Sequence, residues 1–292
     1  MTTIAGVTLS NPGRVLYPEQ GITKQDLARY YDAIAPLMLP HLAGRPFSLV
    51  RCPSGRQHAC FYQKHWTGNP PAGVRTVKIK ETRGDIRDYT WVETAQGLVA
   101  LVQNGVLEFH IWGSRVDRIE QPDRLVFDMD PAPDVSWSRV REAAREMRER
   151  LRAHGLESWI KTTGGKGLHV VAPIERRGDW KDVSAFARAL AYRMSADSPS
   201  RYLAKASKAE RKGKIFVDWL RNTRGATWIA AWSTRARPGA PLSVPITWEE
   251  LGRIRSADQF TIENVVQLIA RRPGDPWAGM PRARQRLPKQ HI

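Results

Sequence analysis

Apolar residues recur at helical spacing near the start of the chain. The stripe has a period of about 3.6 residues, which predicts a helix, and its members are Leu27, Tyr30, Tyr31, Ile34, Leu37 and Met38. Thr23 is the expected N-cap, because Asp26 three residues later completes a capping pattern. Pro40 and Gly44 are expected to end this helix.

Between residues 47 and 112 the pattern changes to short apolar runs of the kind found in strands. Gly, Pro and Asn separate these runs, as expected of a sheet with hairpins. The runs read FSLVRC, ACFYQKH, VRTVKI, YTWVET, GLVALVQ and VLEFHIW. All of them are therefore predicted to be strands.

A second alternation of strands and helices begins at Arg124. The predicted elements are a strand at LVFDMD, a helix over 137–154, strands over 158–162 and 168–174, a helix near 179–195 and a strand at IFVDWL. A basic stretch, Lys205–Lys214, precedes the last strand. Residues 271–292 carry little apolar pattern and are predicted to form an extended surface segment.

These patterns predict an α+β fold with two intimately joined lobes in one globule. The N-terminal lobe is expected over about residues 1–115, the second lobe over about 116–270 and a basic tail over 271–292, all within a single domain. The boundary between the lobes is expected between Trp112 and Arg124.

Composition narrows the functional classes. The 292 residues contain no apolar run long enough to span a membrane and no secretory signal pattern at the start. The two cysteines cannot form a disulfide framework, which is typical of a reducing cytoplasm. The formal net charge of +17 indicates a polyanionic partner, with nucleic acid favoured over an anionic membrane.

Three aspartates at strand ends are candidate metal ligands. Asp128 and Asp130 lie two apart on a predicted strand and therefore point to the same side, and Asp218 ends another apolar strand. Carboxylate ligands favour Mg²⁺ or Mn²⁺, and three acids beside a polyanion suit a two-metal centre for phosphoryl transfer or phosphodiester cleavage. The alternative is that the D-x-D pair marks a strand end whose acids are solvated.

A glycine turn between two predicted strands is a candidate phosphate site. Backbone N–H groups of Gly164-Gly165-Lys166-Gly167, the Thr163 hydroxyl and the His169 ring can all face an anion. The Walker A spacing is absent, and a simple hairpin with an exposed lysine remains the alternative. Further cations cluster near Asp218 and in a later loop: Arg211, Lys212, Lys214, Arg221, Arg224, Arg235 and Arg237.

Two further groups between residues 52 and 65 have candidate functions. Cys52, His58, Cys60 and His65 could form a zinc set, although their spacing misses that of compact structural sites. Phe61 and Tyr62 beside Lys64 could stack on nucleic-acid bases, or could be ordinary core and surface aromatics.

Four segments together resemble a known family. FDMDP, TTGGKGLHVV, IFVDWLRNTRGAT and AAWSTRARPGAPLSVPITWEEL are similar to the polymerase domain of bacterial DNA ligase D. That domain belongs to the archaeo-eukaryotic primase superfamily and serves non-homologous end joining. The resemblance extends from LSNPGRVLYPEQGITKQDLARYY to VPITWEEL. It implies a primase-like catalytic core, with RRM-like mixed or antiparallel sheets and flanking helices, in the second lobe.

The resemblance also implies roles for individual residues. Asp128, Asp130 and Asp218 would hold two Mn²⁺ or Mg²⁺ ions. The incoming nucleotide would contact His110, Thr163, Lys166, His169, Arg211, Arg235 and Arg237. DNA would contact Asn11, Arg14 and Lys24 through a downstream 5′-phosphate, Phe61 and Tyr62 through template stacking, and also Arg51, Lys64 and Arg221. Thr163 stands where many relatives have Ser, and Phe61-Tyr62 replaces a Phe-Phe pair.

The implied activity is template-dependent nucleotidyl transfer to DNA ends and gaps during double-strand break repair, with NTP or dNTP as substrate, ribonucleotides preferred and Mn²⁺ favoured. No ligase-like K-x-D-G motif occurs in the sequence, so the chain is expected to correspond to the polymerase module alone, either excised or naturally separate. Implied partners are gapped or primer–template DNA with a 5′-phosphate, the ligase and phosphoesterase modules of ligase D and the Ku protein, in a bacterial cytoplasm at the nucleoid. A two-metal nuclease and a non-catalytic end-binding module are the alternatives.

Overall fold

The computed structural model describes residues 1–207, 209–272 and 274–288. The α-helices of these residues are α1 (Lys24–Leu42), α2 (Ala95–Gln103), α3 (Trp137–Ala153), α4 (Trp180–Asp197) and α5 (Ile262–Ala270). The strands are β1 (Thr2–Ile4), β2 (Val7–Leu9), β3 (Val15–Tyr17), β4 (Ile22–Thr23), β5 (Phe47–Arg51), β6 (Phe61–Gln63), β7 (Val74–Lys80), β8 (Ile86–Val92), β9 (Val106–Ile111), β10 (Arg124–Pro131), β11 (Trp159–Thr162), β12 (Leu168–Pro173), β13 (Tyr202–Leu203), β14 (Ile215–Asp218), β15 (Trp228–Ile229) and β16 (Pro245–Ile246). The predicted α+β class is confirmed.

The chain forms two compact units. The first unit comprises Met1–Trp112, Thr227–Ser243 and Phe260–Leu268, and the second comprises Gly113–Ala226, Val244–Gln259 and the chain from Ile269 onward. Residues 227–243 and 260–268, which the sequence analysis placed in the second lobe, therefore pack with the first unit. Strand pairing explains part of this difference, because β15 extends the sheet of the first unit by pairing with β9.

A six-stranded antiparallel sheet forms the centre of the first unit. Its order is β15-β9-β5-β8-β7, and β6 pairs with β5 outside this path. Helix α1 begins with the predicted capping box between Thr23 and Asp26. The expected end at Pro40 is wrong, since α1 continues to Leu42, but the expected end at Gly44 is confirmed, because Ala43 caps the helix and Gly44 follows with a φ of 68°. Both of its prolines are exposed, while Met38 and Leu42 on the opposite side are buried and hold the last turn in place.

The run GLVALVQ, predicted to be a strand, lies in helix α2. The Thr94 hydroxyl caps this helix by accepting a hydrogen bond from the Gly97 N–H at 3.2 Å. Residues 97–102 are all buried, so the run is apolar without interruption and has no period that separates a buried strand from a buried helix. Gly97 is needed for packing, because a Cβ there would lie 2.3 Å from the Gly73 carbonyl oxygen.

The second unit is built on a six-stranded mixed sheet in the order β13-β14-β10-β12-β11-β16. Its neighbouring strands are antiparallel except β13 and β14, which are parallel. Helices α3 and α4 pack against this sheet, and both contact β10. Strand β10 thus lies inside the sheet with β14 on one side and β12 on the other, which fixes the neighbours of its polar residues.

The predicted surface tail is wrong in part. Trp277 and Met280 are buried in the second unit, and the Trp277 indole N–H donates to the Ile160 carbonyl at 2.9 Å. An isolated Trp among Pro and Arg residues gives no periodic apolar pattern, so the burial of Trp277 could not be predicted from the sequence. Pro273 and residues 289–292 of the tail lie outside the described residues, as does Lys208 of the basic stretch.

Cys52 and Cys60 are joined by a disulfide that closes the loop between β5 and β6. The expectation that the two cysteines suit a reducing compartment is therefore not met in this structure. Sulfur atoms bonded to each other are not zinc ligands, so the zinc alternative is also excluded here. In the described ranges, no helix combines the length and the apolar character that a membrane span requires.

Candidate active site

Four polar residues form a row across the sheet of the second unit. Strand registers place Lys161 opposite His169, His169 opposite Asp128, and Asp128 opposite Asp218. Residues directly opposite on neighbouring strands carry their side chains on the same face of a sheet. The register thus brings Asp128 and Asp218 together, although they lie 90 positions apart in the chain.

Asp130 lies on the same face of β10, two residues beyond Asp128. Its two carboxylate oxygens contact different cations: Oδ1 is 3.1 Å from the Lys166 Nζ, and Oδ2 accepts from the Arg211 Nη1 at 2.7 Å. Lys166 also donates to the Pro131 carbonyl at 2.8 Å. The glycine turn and the Arg211 segment therefore meet at this carboxylate.

Arg221 lies at the other end of the row. Its Nε is 3.0 Å from the Asp218 Oδ2 and 3.9 Å from the Asp128 Oδ2. The Leu220 N–H donates to the other oxygen of Asp218 at 3.0 Å, just after β14 ends. Cationic side chains thus contact all three aspartates predicted to be metal ligands.

Asp128 and Asp218 have opposite pKa shifts. Burial raises the pKa of Asp218 to about 6, and the charge of Asp128 adds to the rise while Arg221 opposes it. Burial acts in the same direction on Asp128, but the charge and hydrogen bond of His169, together with Arg221 and Lys161, lower its pKa to about 2. Two neighbouring carboxylates with separated pKa values indicate repulsion that a bound cation would relieve.

His169 is buried beside Asp128. Its Nε2 lies 3.4 Å from the Asp128 Oδ2. Burial lowers the pKa of His169 to about 4, and the charge of Lys161 contributes, while Asp128 opposes the shift. The ring is therefore neutral at pH 7. Among the described residues, its Nδ1 has no hydrogen-bond partner.

The predicted glycine turn is a compact loop whose hydroxyl is engaged within the turn. The Thr163 Oγ1 donates to the Gly167 carbonyl at 3.0 Å and accepts from the N–H groups of Gly165 and Gly167, each at 3.3 Å. Gly167 has no room for a side chain, because a Cβ there would lie 2.4 Å from the Met129 carbonyl oxygen. The turn is therefore packed tightly against β10 beside the aspartates.

The donor chemistry of the three aspartates fits a divalent cation. Oxygen ligands are those that Mg²⁺ and Mn²⁺ prefer, and burial, together with the nearby charge of Asp128, raises the pKa of Asp218. In the part of the chain that the structure describes, no three His, Cys, Asp or Glu side chains are already arranged to hold a metal. Binding would require Lys166, Arg211 and Arg221 to turn from the carboxylates.

A second polar cluster lies in the first unit around Glu108, a residue that the sequence analysis did not select. The Glu108 Oε2 lies 2.8 Å from the His110 Nε2 and 3.0 Å from the Arg235 Nε. Its Oε1 accepts from the Ala236 N–H at 2.7 Å. Two predicted nucleotide contacts, His110 and Arg235, are thus joined by one carboxylate. Arg237 is exposed in the same loop.

The predicted stacking pair has two different environments. Phe61 is 47 % and Tyr62 is 54 % exposed. The Arg51 guanidinium lies over the Phe61 ring at 5.3 Å, whereas the Tyr62 ring packs edge-on to His110 at 5.9 Å. The Tyr62 hydroxyl is 2.9 Å from the Thr227 hydroxyl. Tyr62 therefore belongs with the Glu108 cluster.

Lys64, also predicted to contact DNA, pairs with an acid. Its Nζ lies 3.0 Å from the Glu81 Oε2, and the His65 Nε2 lies 2.9 Å from the other oxygen of the same carboxylate. Burial would raise the pKa of Glu81, but hydrogen bonds from Tyr89, His65 and Lys64 lower it to about 2. A phosphate would have to compete with this carboxylate for Lys64.

Asn11, Arg14 and Lys24 come together where α1 begins. The Arg14 N–H donates to the Asn11 carbonyl at 3.0 Å, and the Lys24 N–H donates to the Arg14 carbonyl at 2.8 Å. Lys24 is buried, and its Nζ donates to the Ser10 carbonyl at 2.7 Å. Burial and the charge of Arg14 lower the pKa of Lys24. Two cations at a helix N-terminus are an arrangement suited to an anion.

Sequence reasoning missed Glu108 and Lys161 for different reasons. Glu108 and His110 form an acid-x-His pattern on a strand, which predicts a shared face and would have signalled the cluster. Lys161 is almost fully buried, with 1 % exposure, but only the strand register places it beside His169. No spacing rule in the sequence reveals that register.

The family model for the LigD primase-polymerase domain matches residues 23–277. The chain belongs to this family. It is 39% identical over 284 residues to the multifunctional non-homologous end joining protein LigD of Pseudomonas aeruginosa, covering 97% of this chain and 34% of that protein. The LigD protein of Mycolicibacterium smegmatis is 34% identical over 247 residues, covering 84% of this chain and 32% of that protein. The chain thus spans about a third of the length of these LigD relatives.

A solved LigD polymerase domain has the same fold. The polymerase domain of Mycobacterium tuberculosis ligase D in complex with DNA superposes with a TM-score of 0.87 at 31% sequence identity. The match covers 95% of this chain and 99% of that one. The family resemblance inferred from the four sequence segments is therefore confirmed over nearly the whole chain.

Proposed function

We propose that this LigD-family chain is a template-dependent polymerase that adds nucleotides to DNA ends and gaps during double-strand break repair by non-homologous end joining. The observation that carries the proposal is the juxtaposition of Asp128 and Asp218 on neighbouring strands, with Asp130 on the same face. Membership of the LigD primase-polymerase family supports it.

In this proposal Asp128, Asp130 and Asp218 hold two divalent cations, Mn²⁺ or Mg²⁺. When bound there, such ions would supply Lewis-acid chemistry that activates an attacking 3′-oxygen and neutralises charge on the transferring phosphate. The cationic side chains that contact the aspartates in this structure would turn to the triphosphate, which carries more negative charge than a carboxylate. Lys166 and Arg211 both contact Asp130, which supports this exchange.

The remaining predicted contacts position substrate. His169 borders Asp128. Thr163 braces the glycine turn by accepting from the Gly165 and Gly167 N–H groups, and the Gly164 N–H donates to the Ala257 carbonyl, so Lys166 is the member of the turn that would contact a phosphate. His110, Arg235 and Arg237 of the first unit would contact the incoming nucleotide, by resemblance to the family. Positioning and charge neutralisation carry most of the rate in phosphoryl transfer.

DNA is the proposed partner of several side chains of the first unit. Asn11, Arg14 and Lys24 would bind a downstream 5′-phosphate, while Arg51, Phe61, Tyr62 and Lys64, with Arg221 of the second unit, would contact the template and primer. The structural relative is a DNA complex, which supports this assignment. In the cell we propose that the chain acts at the bacterial nucleoid with the ligase and phosphoesterase modules of LigD and with Ku.

Extension of an end-labelled DNA tests the proposal. A 5′-phosphorylated gapped duplex is incubated with each NTP or dNTP and with Mn²⁺ or Mg²⁺. Lengthening of the labelled primer is expected, with ribonucleotides used better than deoxyribonucleotides. Shortening of the labelled strand would instead indicate a nuclease. Binding of the DNA with no change in strand length would indicate an end-binding module.

A further inference from the structure

We infer that Glu108 is a positioning residue that holds the imidazole of His110 and the guanidinium of Arg235 in one fixed arrangement for the incoming nucleotide. The inference rests on the proposed function, because it concerns how that nucleotide is bound. Glu108 itself is buried, with 5 % exposure, and is not placed to contact a large substrate.

The contacts of the carboxylate support this role. One oxygen is shared by the His110 Nε2 at 2.8 Å and the Arg235 Nε at 3.0 Å, and the other accepts the Ala236 N–H at 2.7 Å. A carboxylate only accepts hydrogen bonds, so the nitrogen of His110 that faces it carries the proton. In the neutral ring the other nitrogen, Nδ1, is then the acceptor, and the tautomer is fixed.

The charge on Glu108 is maintained despite its burial. Burial alone would raise its pKa, but the hydrogen bond of His110, the charge of Arg235 and the Ala236 N–H together lower it to about 2. A buried carboxylate in such a network is costly to disturb, because removing its charge leaves its donors without compensation.

The loop that carries Arg235 is held independently at its start. The Tyr30 hydroxyl donates to the Trp232 carbonyl at 2.7 Å, and the Thr234 N–H donates to the Tyr31 hydroxyl at 3.1 Å. Glu108 therefore has the narrower task of orienting the Arg235 side chain and the His110 ring. A change at Glu108 should alter nucleotide binding more than it alters the fold.

Glu108→Gln tests the inference, since it keeps the side-chain size and removes the charge. With Mn²⁺ and gapped DNA, KM for NTP is expected to rise about tenfold or more, while kcat falls less than about threefold. The Kd for DNA should stay within about twofold. Glu108→Asp, which keeps the charge but shortens its reach, should give a smaller rise in KM than Glu108→Gln.

Glu146→Gln is the matched control. Glu146 also accepts from an arginine, Arg150 at 2.8 Å, but lies on α3 in the second unit. Loss of the Glu146 charge removes the Arg150 ion pair and should leave KM for NTP unchanged. A double-mutant cycle distinguishes positioning of Arg235 from a general effect on stability. In an Arg235→Ala background, Glu108→Gln should raise KM for NTP by clearly less than it does in the wild type.

The outcomes separate the inference from the proposed function. If wild-type protein does not extend the primer, the proposed function fails. If wild-type protein extends it and Glu108→Gln has unchanged KM, or if Glu108→Gln and Arg235→Ala are fully additive, the positioning role is overturned. Should Glu108→Gln not fold, Glu108→Asp decides: an unchanged KM in that variant overturns the inference.

Discussion

Asp128 and Asp218 lie directly opposite each other on the neighbouring antiparallel strands β10 and β14. The pair concentrates negative charge at one point of the sheet, and the pKa of Asp218 rises to about 6 while that of Asp128 falls to about 2. Burial and the charge of Asp128 thus disfavour the ionised form of Asp218, and the pKa of Asp218 should fall when a cation binds.

Asp218→Asn should stabilise the metal-free protein at high pH. The folded pKa of Asp218 lies above its usual value of 3.8, so its protonated form contributes stability below pH 3.8 that is lost as pH rises through about 6. Asn resembles the protonated acid, so the free energy of unfolding should exceed that of wild type by on the order of 1–3 kcal/mol at pH 8. Denaturant unfolding in a chelator at pH 5 and pH 8 measures this.

Asp130→Asn is the control for that experiment. Its carboxylate pairs with both Lys166 and Arg211, so its neutralisation removes two ion pairs and should give no gain. A gain at pH 8 for Asp130→Asn as large as that for Asp218→Asn would contradict the charge assignment, as would a difference for Asp218→Asn that does not change with pH.

Lys166→Ala should weaken nucleotide use more than DNA binding. Lys166 contacts Asp130 from the glycine turn, where a triphosphate would replace the carboxylate as its partner. Steady-state kinetics with varied NTP should show a higher KM, a lower kcat or both, and Arg235→Ala should act in the same direction. Lys181→Ala, at an exposed position on α4, is the charge-matched control. If Lys166→Ala lowers only the affinity for DNA, Lys166 contacts DNA and not the nucleotide.

Phe61 and Tyr62, the two exposed aromatic residues of β6, should affect different steps of binding. Phe61 stacks with Arg51, whereas Tyr62 contacts His110 of the Glu108 cluster. We expect Phe61→Ala to weaken DNA binding by about 1–3 kcal/mol, as for the loss of one stacked base, and Tyr62→Ala to raise KM for NTP. Tyr62→Phe, which removes only the hydroxyl facing Thr227, should be close to wild type. Identical effects of both alanine variants on both quantities would show that the rings form one platform.

The features that the sequence predicts correctly are those formed by residues close together in the chain. The capping box of α1 and the strand ending in Asp128 and Asp130 are local patterns, and the structure confirms both. The helix α2 was missed because an unbroken apolar run has no period. The Asp128–Asp218 pairing and the row from Lys161 depend on strand register, which single-sequence patterns do not encode.

Lys24→Ala should abolish the preference for a DNA end with a 5′-phosphate. Lys24 and Arg14 lie together at the N-terminus of α1, where the helix dipole adds to their charge. Wild type should bind gapped DNA more tightly with a 5′-phosphate than with a 5′-hydroxyl. The control is Arg29→Ala, an exposed cation one turn along α1, which should retain the preference. If Lys24→Ala weakens both DNAs alike, lowering the salt slope by about 0.7–0.9, its role is diffuse attraction.

The most direct measurement of the central claim is single-turnover extension of a 5′-phosphorylated gapped duplex in Mn²⁺, with the template base varied. Wild type should add the nucleotide complementary to each template base. Asp128→Asn and Asp218→Asn should remain folded by circular dichroism and should add none. Extension by either variant at the wild-type rate, or incorporation that ignores the template base, would contradict the account.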